Sequence, residues 1–162
     1  MSAILSECGS YRYRLERQVA PMFITKPVMF IGINPSTADA ENDDATVRKL
    51  IGFTQRWGYS SFILGNVFAW RSTDVRQLPE RCKAIGPDNY RTLKAMMEEA
   101  ACIVPCWGNT NKVPKTHRCQ FEVVCAMLLI AEKPVRIFGR TNRGDPLHPL
   151  LLPYSTEMQT WP

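Results

Sequence analysis

The chain contains no C-x-x-C pair, although it carries six cysteines in 162 residues. That absence argues against a zinc or cluster site. Cys102 and Cys106 lie four apart in ACIVPCW, a run that reads as a buried strand, and such positions stand about 13 Å apart, too far to share one ion. Cys119 and Cys125 lie six apart around a predicted helix, on different faces. The thiols therefore read as small, reduced core residues, and neither a metal nor a cofactor is expected. Also missing is any apolar stretch near the roughly 20 residues that a membrane span needs. The start, MSAILSECGS, lacks the charged region, apolar run and cleavage site of a secretory signal. A soluble, cytoplasmic protein is the expectation. No repeat, low-complexity run or linker divides the chain, so residues 1–162 read as one domain able to bury about two-thirds of its unfolded surface.

What the sequence does have is a modest excess of positive charge, +5. Charge alone speaks to association rather than to chemistry. Its distribution says more: Arg71, Arg76, Arg81 and Lys83 follow one predicted strand, Lys112, Lys115 and Arg118 another, and Arg140 and Arg143 a third. A polyanionic partner, a nucleic acid or a nucleotide, suits that placement, and solvated surface charge is its ordinary alternative.

YRYRLE, residues 11–16, alternates with period two and predicts a half-exposed edge strand or hairpin arm. PVMFIGI, SSFILGNVFA, ACIVPCW and PVRIFG are continuous apolar runs that suit strands buried on both faces. Between them, helical spacing runs from Asp44 to Trp57, over DNYRTLKAMMEEA and over RCQFEVVCAMLLIAEK, the last apolar enough to be mostly buried. Strands alternating with helices imply right-handed crossovers. The expected fold is α/β, a three-layer sandwich around a mostly parallel four-stranded sheet.

In such a sheet ligands bind beyond the carboxyl ends of the strands. The four predicted strands end in Asn34-Pro35-Ser36, in Asn66, in Trp107-Gly108-Asn109 and in GRTNRGDPLHP, which contains His148. Polar, aromatic and glycine residues recur at each end, so a cleft there is the candidate site.

At these positions the sequence resembles known proteins. Ile31-Gly32-Ile33-Asn34-Pro35 is similar to the G-I-N-P corner of the mismatch-specific branch of the uracil-DNA glycosylase superfamily, VPCWG to its strand ending in Trp-Gly, and His148-Pro149 to its His-Pro-Ser loop, with Leu150 in place of serine. NPSTADA, DDAT, RWGY, NVFA, CWG and HPL, in that order, resemble the family catalogued as domain of unknown function 1643.

The superfamily resemblance implies an N-glycosylase that flips a nucleotide into a pocket, at a cost of a few kcal/mol. Asn34 would hold the attacking water without deprotonating it, forgoing much of the roughly 10²–10⁴-fold that a general base supplies. His148 would donate a hydrogen bond to the departing base. Asn66 would read a base edge, Arg140 and Arg143 would hold flanking phosphates, and Pro35 and Pro149 would stiffen the two loops. Trp107 would stack on a base or pack at the sheet edge.

Two departures bear on the substrate. STADAENDDAT lacks the aromatic residue that uracil-specific enzymes use for stacking, and its carboxylates would repel a phosphate backbone. Either the acidic loop reads donors, with Asp43 and Asp44 also capping the next helix, or the substrate is a free nucleoside, nucleotide or modified nucleic acid, with Asp44 and Thr46 at the sugar. A binding module that kept the fold and lost the chemistry is the competing expectation.

Overall fold

The computed structural model describes residues 1–20 and 26–161. Five strands, β1 (Ser2–Leu5), β2 (Arg12–Gln18), β3 (Val28–Gly32), β4 (Ser61–Asn66) and β5 (Cys102–Pro105), form one sheet in the order β1-β2-β4-β3-β5. β3 lies between β4 and β5 and runs parallel to both. From β3 the chain passes through α1 (Ala45–Arg56) to β4 on one side. It then crosses through α2 (Arg81–Ile85) and α3 (Asn89–Glu99) to β5 on the other. That reversal makes the carboxyl end of β3 a switch point, where diverging loops leave a crevice.

The expected four-stranded, mostly parallel sheet is corrected in two ways. First, β1 and β2 form an antiparallel hairpin, and β2 pairs antiparallel with β4. YRYRLE is thus a hairpin arm inside the sheet rather than an edge. The hairpin supplies β4 with a second neighbour, and all six β4 residues are buried. Second, PVRIFG contributes only the two-residue β6 (Arg136–Ile137), which pairs with β7 (Gln159–Thr160). Val135 makes a single parallel bridge to Ile103 of β5, where the Ile103 amide donates to Pro134 O at 2.9 Å.

Strand alternation divides the core between two faces. Val28, Phe30, Phe62 and Leu64 pack with Val47, Leu50 and Phe53 of α1. Met29, Ile31, Ile63 and Ile103 pack with Leu93 and Met96 of α3 and with Val124 and Leu128 of α4 (Cys119–Ile130). Each such side chain contributes about 1.5–3 kcal/mol on burial. α4 is less buried than its composition suggests: Phe121, Val124 and Leu128 are inside, but Leu129 and Ile130 are 69% and 79% exposed. Among the described residues no helix is long and apolar enough to cross a membrane.

The acidic loop between β3 and α1 folds back on the protein. Asp39 Oδ1 accepts from the backbone amides of Glu41 and Asn42, both at 2.9 Å. Asp43 Oδ1 accepts from Arg17 Nε at 2.7 Å. Asp44 caps α1 by accepting from Val47 N at 2.8 Å, which satisfies one of the free donors at a helix start.

Candidate functional site

A cleft of about 280 Å³ opens at the carboxyl ends of β3, β4 and β5. Asn34, Ser36, Asp44, Thr46, Asn66, Trp107, Asn109, Lys112 and His148 line it, contributed by segments more than a hundred residues apart. Pro35 is buried beside it rather than in its lining. Arg71, Arg140 and Arg143 are not lining residues. Arg71 donates to Gly9 O of the β1–β2 turn, Arg140 to Gly144 O of its own loop, and Arg143 to Asn111 Oδ1 of the turn after β5, so these cations are engaged by loops outside the cleft lining.

Two side-chain amides belong to the lining. Asn34 follows β3, and its Nδ2 donates to Ser72 O at 2.7 Å and to Pro35 O at 3.0 Å. Those carbonyls fix the amide's orientation and leave Oδ1 as its free acceptor. Asn66 ends β4 and is 3% exposed, yet its Nδ2 is buried with no hydrogen-bond partner among the described residues. No described residue bonds its Oδ1 either. An unpaired buried amide costs about 1–3 kcal/mol, an expense that a ligand edge with one donor and one acceptor would remove. Gly32 makes room for this amide, since a Cβ there would lie 2.9 Å from Asn66 Oδ1.

His148 stands at the mouth, before a short 3-10 turn over Pro149–Leu151. Its Nδ1 accepts from Leu150 N at 3.3 Å, so the neutral ring carries its proton on Nε2. The protein packed beneath the ring lowers the His148 pKa, Lys112 adds like-charge repulsion, and Asp44 opposes both. The ring is a neutral donor near neutral pH. Gly108, at φ 74, holds the next wall close, for a Cβ there would meet His148 Cβ at 3.0 Å.

The remaining expected residues divide by what already occupies them. Trp107 is 3% exposed and packs its ring on Phe121 at 5.5 Å, so of its two anticipated roles the structure displays the packing one. Asn109 Oδ1 caps a 3-10 turn by accepting from Asn111 N at 3.0 Å. Ser36 and Thr46 have side-chain hydroxyls that bond no other described residue. Cys106 lies in the wall, its thiol pushed up to about 12 by burial, which keeps it protonated and poorly nucleophilic.

Arg12 was not anticipated. It lines the cleft at 2% exposure, although it belongs to the strand that the sequence pattern places half in solvent. The cause is a bulge: Ile4 pairs with Arg14 and Leu5 with Arg12, leaving Tyr13 unopposed. Arg12 therefore shares a face with Leu15 and Arg17 toward α1, while Arg14 turns to Glu99 of α3. Bulges commonly re-aim a side chain in this way. The sequence signal was a run of arginines in a strand that faces an acidic loop.

Fold and cleft together define an α/β protein with a polar cleft at the switch point of its sheet. The chain belongs to the family described as protein of unknown function (DUF1643), whose model matches residues 12–150. No curated protein and no solved structure matches the chain.

Proposed function

We propose that the cleft holds a nucleobase and that the chain is an N-glycosylase-like hydrolase, its sheet and helices a three-layer arrangement of the uracil-DNA glycosylase kind. The observation that carries the reading is the convergence of Asn34, Asn66 and His148 on one cleft of about 280 Å³. That size suits one nucleotide unit, being near the lower end of the roughly 300–1,000 Å³ of small-molecule sites.

In this mechanism Asn34 Oδ1 accepts from a water and points its oxygen at the sugar carbon. The amide orients the water but removes no proton, so the rate depends on how readily the C–N bond breaks first. Positive charge then grows on the sugar, with the Asp44 carboxylate in the same cleft to stabilise it. The base leaves with the C–N electron pair, its negative charge met by His148 Nε2–H donating to a base oxygen. The water then adds to the sugar carbon, and the proton it loses neutralises the departed base through solvent. Asn66 supplies a donor and an acceptor to the base edge. The nucleotide is part of DNA or free.

The test is to incubate the protein with labelled oligonucleotides carrying uracil, thymine mismatches, hypoxanthine or hydroxymethylated bases, and with free nucleosides, then to cleave abasic sites with alkali. Release of base above an Asn34→Ala control is expected, and its absence on every substrate sinks the reading. One observation favours a binding module instead: Asp44, the carboxylate among the cleft-lining residues, is spent on capping α1. Salt-dependent binding of nucleic acid without release of base would identify that second case.

A further inference from the structure

Arg12 is the group in the cleft whose bonding is least complete. Its Nη1 donates to Ala38 O at 2.6 Å. Its Nε is closed off from solvent with no partner, and its Nη2 has none among the described residues. It forms no ion pair there either, Asp44 acting on it only through space. Nε and Nη2 form one edge of the guanidinium, two parallel N–H donors spaced to match two oxygens of a carboxylate or phosphate.

Arg17 displays what that edge does when it is filled. Five residues along the same strand and on the same face, it is 1% exposed. Its Nε donates to Asp43 Oδ1 at 2.7 Å and its Nη2 to Asp39 O at 2.5 Å. Nη1 is taken by Glu16 O at 2.9 Å. The protein thus satisfies one buried guanidinium from its own loop and strand, and leaves the equivalent edge of the other without a described partner in a residue that lines a ligand-sized cleft.

The charge around Arg12 points the same way. Among the lining residues Arg12 and Lys112 are cations and Asp44 is the anion. Asp44 offsets one of the two positive charges while it caps α1, and Arg71 lies close enough to add repulsion. The cleft therefore carries an excess of positive charge beside a buried guanidinium, where an anion binds more strongly than at an open surface.

We infer that the Nε–Nη2 edge of Arg12 seats an oxoanion of the ligand, the phosphate of a single nucleotide unit whose base lies between Asn66 and His148. The inference deepens the proposed function and rests on it for the base, but not for the anion. It also accounts for the acidic loop: Asp39 and Asp43 take their hydrogen bonds from their own loop and from Arg17, so neither fills the Nε–Nη2 edge of Arg12.

Isothermal titration tests it on the full chain carrying Asn34→Ala, so that nothing is turned over. The probes are the common nucleosides, their 5′-monophosphates, inorganic phosphate, uracil, and orotate as a carboxylate-bearing pyrimidine. A monophosphate should bind at least about tenfold more tightly than its nucleoside. In Arg12→Lys, which keeps the charge but loses the fork, the gap should close to within about threefold while nucleoside affinity stays. Equal affinities of nucleoside and monophosphate, or an undiminished gap in Arg12→Lys, would overturn the inference. So would a gain confined to orotate over uracil, which would make the anion a carboxylate. If Arg12→Lys does not fold, inorganic phosphate decides on the chain with native Arg12: it should compete with the monophosphate and not with the nucleoside. Nucleosides bound without a phosphate gain overturn the anion seat and leave base recognition standing. Phosphate bound through Arg12 with no nucleoside bound supports the seat and overturns the base reading. Binding by none of the probes overturns both.

Discussion

Two buried arginines on β2 separate the closed end of the acidic loop from the open cleft. Arg17 has every nitrogen bonded, to three backbone carbonyls and the Asp43 carboxylate. Arg12 has one side-chain hydrogen bond to the described residues, and its pKa falls to about 10, through burial first and then through Arg71 and Arg17, against the pull of Asp44 and Asp39. A buried charge that is fully bonded holds a loop in place, whereas one left short of acceptors costs on the order of a few kcal/mol at neutral pH. The two residues are alike in chemistry, strand and burial. They differ in whether the fold supplies the partner, and the place where it does not is the cleft.

The sharpest way to break this contrast is to remove both. Arg17→Met strands the Asp43 carboxylate and frees the loop carbonyls, and is expected to cost about 3–5 kcal/mol in urea unfolding. Arg12→Met removes an under-bonded cation and deprives only Ala38 O, so its loss should stay within about 1 kcal/mol. Equal losses from the two changes would mean that Arg12 is a structural residue like Arg17. The comparison needs no ligand, so it is independent of what the cleft binds.

Asn34 tests the lining of the cleft. Replacing it with Asp is the change that would convert a water-orienting amide into a general base. Here the carbonyls of Ser72 and Pro35 face the position of Nδ2, so a carboxylate would meet oxygen against oxygen. Asn34→Asp is expected to destabilise by about 1–3 kcal/mol and to lower any base release. A faster enzyme of unchanged stability would show that the amide is not held as described. Gly32→Ala is milder. Its methyl would press on Asn66 Oδ1 from 2.9 Å, so nucleoside affinity should fall about tenfold, equivalent to one lost polar contact, with a far-ultraviolet circular dichroism spectrum like the parent's.

What the sequence disclosed, and what it hid, follows the same division. β3, β4 and β5 were legible because strands buried on both faces are continuous apolar runs, and α1 because an Asp cap precedes helical spacing and a glycine in the left-handed region follows it. That Asn34 and Asn66 share one cleft was legible because the ends of parallel strands converge; His148 joins them from the turn after the short β6 rather than from a parallel strand end. Arg12 was not legible, because a period-two reading puts Arg12 and Arg14 on one face, and the bulge at Tyr13 that separates them is a property of pairing with β1. β1 itself escaped notice: an outer strand with the burial pattern of one half-buried and three exposed residues carries no apolar period. The basic residues after the strands looked like one anion-binding set, yet Arg140 closes its own loop and Arg143 ties it to Asn111 of the neighbouring turn, while Lys112 reaches the cleft.

The smallest expected effect concerns His148, which belongs to the open side of the comparison. Its folded pKa lies below the ordinary value of 6.5, chiefly through burial and then through Lys112. Between the folded and unfolded values the unfolded chain binds more protons, so stability rises with pH there. The contribution is fully present above the unfolded pKa and is lost as pH falls through the folded one. Protonation would also place a hydrogen on Nδ1 and end its acceptance from Leu150 N, loosening the turn that presents the ring. Proton and nitrogen NMR should therefore find a midpoint below 6.5 and, above it, a neutral ring protonated on Nε2. Lys112→Ala should move that midpoint upward by removing a neighbouring positive charge, and an unmoved or lower midpoint would separate Lys112 from the electrostatics of the cleft. A midpoint that rises further when the chain carries Arg12→Met would extend the same field across the cleft to the second cation.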